Sequence, residues 1–265
     1  MTEMFAFDFM RHAFAAGIMI ALLASVSGAF VVLRRYALLT ETLAHSALVG
    51  VAVGILTGAA PVWAAVAAAL VSAWVIEYLR SFFHLYSDAV LAIFLSGSLA
   101  LAVVIVSLAG AFNSSLFSYL FGSILSVSSE EVWLVLGIGI PALGLMVYYY
   151  KELYFIAFDE EVARTSGIPV TFINFMMVSV VAVIIALSIR IVGTLLIGAL
   201  MVIPTVAALR YRLGFIRTVA LSVVFALFSV VAGMMLSYAF SLPSGATIVL
   251  CVLVLFIVSL LINRR

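Results

Sequence analysis

An all-α integral membrane protein with about nine transmembrane helices is the fold class the sequence predicts, and three observations carry that reading. Of 265 residues, 68% are hydrophobic and only 9% charged, and the mean hydropathy of +1.41 lies far above that of a soluble domain. Apolar runs of about 20 residues, the length needed to cross a bilayer core of about 30 Å, recur from end to end with no soluble segment between them. Basic residues fall on alternate breaks between those runs. A single membrane domain, 1–265, therefore takes up the whole sequence.

The first twelve residues carry Glu3, Asp8, Arg11 and His12 in place of a basic n-region with a cleavage site, so the first span is expected to stay in the protein. A net charge of +1 gives no reason to expect nucleic acid as a partner, and a lone Cys251 allows neither an internal disulfide nor a cysteine metal cluster.

Taken in order, the apolar runs give spans at 13–33, 40–58, 61–80, 88–109, 130–150, 170–189, 192–210, 216–238 and 246–262. The breaks between them carry charge or turn residues: Arg34-Arg35, Gly58 to Pro61, Arg80 to Asp88, Ser126 to Glu131, Lys151 to Pro169, Arg210 to Arg217, and Leu242 to Gly245. An odd number of spans puts the termini on opposite sides. With the N-terminus outside and the C-terminus inside, the inner side holds Arg34, Arg35, Arg80, Lys151, Arg164, Arg210, Arg212, Arg217, Arg264 and Arg265, and the outer side only Arg11 and Arg190.

Two stretches do not read as spans. Residues 113–125 are apolar, opened by the capping-type residues Asn113 to Ser115, and fit an interfacial helix or a structured loop on the outer side equally well. Lys151 to Ile168 is the longest polar stretch. Its Asp159, Glu160 and Glu161 followed by Val162, Ala163, Arg164 and then Gly167 have the early carboxylates and late glycine of a short helix, at about 157–168 on the inner side.

Glu41 and His45 stand out within the second span. At i and i+4 they lie about 40° apart around a helix, so both side chains project from one face. A carboxylate oxygen and an imidazole nitrogen one turn apart make half of a four-ligand transition-metal site. No other span offers a second His–carboxylate pair, and the economical source of the missing half is the same pair in a second copy, giving a homodimer around a central pathway. The spacing alone is served equally by a helix start in which Glu41 pairs with Arg34 or Arg35. Gly50, Gly54 and Gly58 form a four-residue ridge about 180–200° from that pair, suited to close packing on another helix.

The remaining polar oddities have plain readings. Arg190 fits an arginine snorkelling at the outer interface, Pro204 a kink or break in the seventh span, His12 and His84 loop or interface positions, and the ten methionines dispersed packing. The single lysine, Lys151, stands in no Gly-x-x-x-x-Gly-Lys loop, so this chain does not hydrolyse ATP. There is no His-Glu-x-x-His, which removes the usual arrangement of a membrane zinc protease. A gradient-driven transporter or channel remains open, with Glu41 as its one clear intramembrane carboxylate.

Several segments, in this order and spacing, resemble one family. They are Val31-Val32-Leu33-Arg34-Arg35, then Glu41-Thr42-Leu43-Ala44-His45-Ser46 with Gly50-Val51-Ala52. Further along come Tyr119-Leu120-Phe121-Gly122-Ser123-Ile124-Leu125, Asp159 to Ala163 with Gly167-Ile168, and Val192-Gly193-Thr194-Leu195-Leu196 through Ile203-Pro204-Thr205-Val206-Ala207. The likeness is to the permeases of metal-uptake ABC transporters, the zinc permeases of ZnuB type among them, and it spans nearly the whole chain. It implies a multi-pass homodimer in a bacterial plasma membrane, joined to two cytoplasmic ATPase subunits that bind the ATP and loaded by an extracytoplasmic metal-binding protein. Zn2+ would be the transported ion, or Mn2+ or Fe2+, with no permanently bound cofactor. It further implies that Asp159 to Gly167 is the coupling helix and that the family's aspartate–histidine metal pair falls on Glu41 and His45. Glutamate there is a departure, one methylene longer in reach.

Overall fold

The computed structural model describes residues 8–83, 86–108, 119–122 and 127–262. His84, Arg264, Arg265 and most of the 113–125 segment lie outside them. The described residues form helices and connecting turns, without strands.

Eleven helices are defined among the described residues: α1 (Asp8–Leu33), α2 (Ala37–Thr57), α3 (Pro61–Phe83), α4 (Ser87–Leu108), α5 (Ser129–Tyr148), α6 (Tyr150–Phe158), α7 (Glu160–Thr165), α8 (Val170–Val192), α9 (Thr194–Leu209), α10 (Phe215–Phe240) and α11 (Ser244–Ile262). Their ends follow local chemistry. Gly58 closes α2 in the left-handed region, at φ 68°, with its N–H bonded to the Ile55 carbonyl, and Pro61 opens α3, where its missing N–H costs nothing. Ser128 caps α5 through a capping box, its hydroxyl accepting from the Glu131 N–H while the Glu131 carboxylate accepts from the Ser128 N–H.

Eight of these helices are long and apolar enough to cross a membrane, not nine. The exception is α9, read from the sequence as a full span over 192–210. At 16 residues it is about 24 Å long, short of a hydrocarbon core of about 30 Å. Its start is set by Gly193, at φ 93°, where any side chain would collide with the backbone of Leu120 to Gly122. Pro204 lies inside α9 without ending it, so the interruption falls at the glycine and not at the proline.

Burial sorts the helices into two groups. Two-thirds or more of the apolar stretches of α1, α2 and α8 are buried within the chain, against a third or less in α3, α4, α5, α10 and α11. The outer group carries large apolar side chains on open faces, Trp63, Ile93, Trp133, Phe228 and Leu250 among them, as lipid contact requires. The inner group is held by close backbone approach at small residues. A Cβ at Gly28 of α1 would strike the Met201 carbonyl of α9, and one at Gly50 of α2 the Ala64 carbonyl of α3.

Directions follow from the contacts. α2 departs from the loop at Arg34 to Tyr36, and α8 departs from the same end, where Asn174 reaches Glu160 and Glu160 reaches Arg34. α9 brings the chain back to that end, since Phe215 just beyond it packs on Phe30 with ring centres 5.2 Å apart. α9 therefore runs antiparallel to α2.

Candidate metal pathway and its coupling end

Glu41 and His45 occupy one face of α2, and the structure places them differently. Glu41 is exposed in the single chain, on the wall of an open cavity of about 310 Å3 between the start of α2 and α9. Thr40, Thr194, Gly198 and Val202 share that wall. His45, one turn deeper, is 6% exposed, and its Nδ1 has no protein hydrogen-bond partner. The carboxylate lies within electrostatic reach of the imidazole. Arg34 pairs with Glu160 and not with Glu41.

The adjacent hydroxyls of α2 are committed elsewhere. Thr42 donates to the Leu38 and Leu91 carbonyls at 2.8 and 3.3 Å, and Ser46 bonds the Thr42 carbonyl and the Ser98 hydroxyl at 3.0 and 2.9 Å, fastening α2 to α4. On the opposite side Gly50 and Gly54 meet α3, where a Cβ at Gly54 would come within 2.8 Å of Pro61 Cα. Gly58 departs from the expected ridge: nothing lies within 4 Å of a Cβ built there, and its role is to cap the helix. Glu41 meets α9 at Gly198, where a Cβ would lie 3.9 Å from the Glu41 Cα. Among the described residues no cluster of three or more His, Cys, Asp or Glu side chains gathers in one chain, so the pair remains a pair.

The acidic segment at 157–168 folds as α7, shorter than its sequence window, and the first part of the polar stretch before it folds as a separate helix, α6. Asp159 caps α7 by accepting the Val162 N–H at 2.9 Å. Gly167, at φ 84°, ends it, with the Ile168 N–H bonded back to the Ala163 carbonyl. Ala163 is buried beneath the helix, while Glu161, Val162 and Arg164 are exposed. Glu160 turns inward. Its carboxylate accepts from Arg34 at 3.5 Å, Arg80 at 3.2 Å, Arg164 at 3.4 Å and Asn174 at 3.5 Å.

That network extends to a carboxylate the sequence reading passed over. Glu77 of α3 is 1% exposed and accepts two bonds from Arg80, at 2.6 and 3.0 Å, and one from Ser81 at 2.9 Å. The spacing Glu77-x-x-Arg80 was the available signal, since an i,i+3 pair of opposite charge meets on a helix. The Tyr36 ring lies against the guanidinium groups of both Arg34 and Arg80, at 5.4 and 5.5 Å. Burial pushes the Tyr36 phenol above its usual value, against the pull of the two arginines.

Arg190 also departs from the plain reading: it forms an ion pair with Glu131 at the start of α5. Beside it, Gly122, Gly193 and Gly245 bring the 119–122 segment, the α8–α9 junction and the start of α11 into backbone contact. Burial raises the Tyr119 phenol there.

The sequence profile of the ABC 3 transport family matches residues 6–263. The chain belongs to the ABC 3 transport family. Its curated relatives include a probable metal transport system membrane protein of Treponema pallidum, 38% identical over 96% of both chains. The high-affinity zinc uptake system membrane protein ZnuB of Haemophilus influenzae is 32% identical over 98% of this chain and 99% of its own length. The manganese import system permease protein ScaB of Streptococcus gordonii is 29% identical over 98% and 93%. Among solved structures, PsaBC from Streptococcus pneumoniae in complex with Fab superposes with a TM-score of 0.84 at 29% identity, covering 96% of this chain and 91% of that one. The chain is accordingly a multi-pass permease of a metal ABC importer in a bacterial plasma membrane.

Proposed function

We propose that two copies of this permease surround one pathway, along which zinc, delivered by an extracytoplasmic metal-binding protein, passes to the cytoplasm. Two ATPase subunits would drive the cycle. The observation that carries the reading is the placement of Glu41 on a cavity wall with a partnerless imidazole, His45, one turn away on the same helix face. A buried polar atom without a partner is costly in a finished core, which makes it a good contact for an ion in transit. Opposed across a twofold axis, two such pairs supply the four N and O donors that zinc takes.

The pathway must bind weakly enough to release the ion, and a glutamate reaching from an open cavity can swing away from it. The exposed outer face of α7 is the docking surface for the ATPase. Movement of α7 would be passed through Glu160 to the loop before α2 and to the end of α3, opening the pathway first outward and then inward. In this reading the end bearing Arg34, Arg80 and Arg164 faces the cytoplasm, with the N-terminus outside and the C-terminus inside.

Manganese is the second reading, favoured by the relative named for manganese import and by the side-chain oxygens of Thr40, Glu41 and Thr194 on an otherwise apolar cavity wall. Uptake into liposomes by the permease–ATPase complex, fed by the binding protein and compared for zinc, manganese and iron with and without His45→Ala, decides between them. Zinc uptake that needs ATP and His45 supports the proposal. Uptake by the permease alone down an ion gradient overturns it in favour of a secondary transporter.

A further inference from the structure

We infer that Thr194, the first residue of α9, contacts the transported ion through its hydroxyl, so that each protomer lines the pathway with residues from two helices and not from α2 alone. The inference rests on the metal-pathway reading above and adds a residue to it.

Hydroxyls in a membrane helix ordinarily bond to a carbonyl one turn back. Thr40, Thr42, Ser46, Ser188, Thr205, Ser229 and Thr247 all do so here. Thr194 has lost that option, because the chain breaks at Gly193 and the preceding turn belongs to α8. The side chain is nevertheless 1% exposed, and its Oγ1 has no protein partner. Among the described residues, only one other buried hydroxyl, that of Ser27, is left in this condition, and Ser27 lies off the cavity wall.

Location gives that hydroxyl its use. Thr194 lines the same cavity as Glu41. One turn along α9, Gly198 lies against Thr40 and Glu41; a Cβ built there would be 3.2 Å from Thr40 Oγ1 and 3.9 Å from Glu41 Cα. Because α2 and α9 run antiparallel, the turn of α9 that precedes Gly198 faces the turn of α2 that follows Glu41. That register sets Thr194 level with His45, whose Nδ1 is the other unpartnered buried atom on this face. A carboxylate, an imidazole and a hydroxyl then line one short stretch of pathway. The hydroxyl is a neutral oxygen donor of the kind that suits harder cations, so its weight in the site bears on the choice between zinc and manganese.

The test uses the purified permease–ATPase complex and buffered free Zn2+ or Mn2+, with bound metal measured at equilibrium. Thr194→Val keeps the shape and removes the hydroxyl, while Thr194→Ser keeps the hydroxyl. We expect Thr194→Val to weaken Mn2+ binding roughly tenfold and Zn2+ binding less, the size of effect seen when one supporting group of a metal site is lost, and Thr194→Ser to bind both as wild type. Wild-type binding of both ions by Thr194→Val, while Glu41→Ala and His45→Ala bind neither, would remove Thr194 from the site and leave the pathway standing. Equal loss in the Val and Ser variants together with a lowered Tm would make it a packing residue and overturn the inference. Normal binding by Glu41→Ala and His45→Ala would instead defeat the pathway reading itself.

Discussion

At the Arg34 end of α2 the charged groups are tied together: Glu77 to Arg80, Glu160 to Arg34, Arg80 and Arg164, and Tyr36 to both interior arginines. Within that network of described residues the Asn174 side-chain oxygen is left over, and on neighbouring α6 one oxygen of Glu152 is too. Farther along the same helix stand a carboxylate on a cavity wall and the buried His45 Nδ1, and across that cavity α9 offers Thr194 Oγ1; neither of these two buried atoms has a protein partner. Since an unpaired buried polar group costs about 1–3 kcal/mol, the two regions differ in kind. The first holds four elements in fixed relation, and the second keeps donors free. A transporter needs both, a rigid link to whatever drives it and an incomplete site for what passes through.

If that contrast is right, substitutions in the two regions fail in different ways. The largest effect belongs to the open face. Glu41→Ala and His45→Ala should cut metal uptake by about two orders of magnitude, the upper range for loss of a group at a metal site, with Tm unchanged or raised. Metal uptake and thermal unfolding in detergent, read side by side, check this; a large fall in Tm would put these residues in the structural group.

The saturated end should respond the other way. Glu77→Ala strands the Arg80 guanidinium in a buried setting and should cost about 3–5 kcal/mol of stability. Glu160→Ala breaks partly exposed pairs and should cost no more than about 1 kcal/mol, yet ATP hydrolysis by the complex should continue while uptake falls. Coupled uptake at the wild-type rate in Glu160→Ala would sever the proposed link between α7 and α2.

Smaller effects sharpen the role of packing behind the open face. Gly50→Ala drives a methyl into the Ala64 carbonyl and should destabilise by about 1–3 kcal/mol. Gly58→Ala meets no atom and carries only the cost of a left-handed residue, about 1–2 kcal/mol. At the far end, Glu131→Gln removes the partner of a half-exposed Arg190 and should cost about 1 kcal/mol or less, shrinking further in high salt. Tm measurements across salt concentrations rank these three.

Much of the fold was legible because lipid imposes its length scale directly on sequence, with charge or turn residues at the breaks between apolar runs. α9 misled because hydropathy counts apolar residues and does not see the backbone of Leu120 to Gly122 pressed against Gly193. α7 was readable from its cap and its glycine, while the inward turn of Glu160 was not, since it depends on arginines 80 and 126 positions away. The Glu41–His45 pair was visible as spacing. Thr194 was not, because a threonine in an apolar run carries no signal until its missing hydrogen bond can be seen.

The most direct measurement is anomalous scattering from Zn2+ or Mn2+ bound to the assembled permease dimer with its ATPase subunits. A peak between the Glu41 carboxylates and His45 imidazoles of both copies is the predicted result. A map in which those side chains face lipid, or in which the metal lies elsewhere along the dimer axis, would contradict the account.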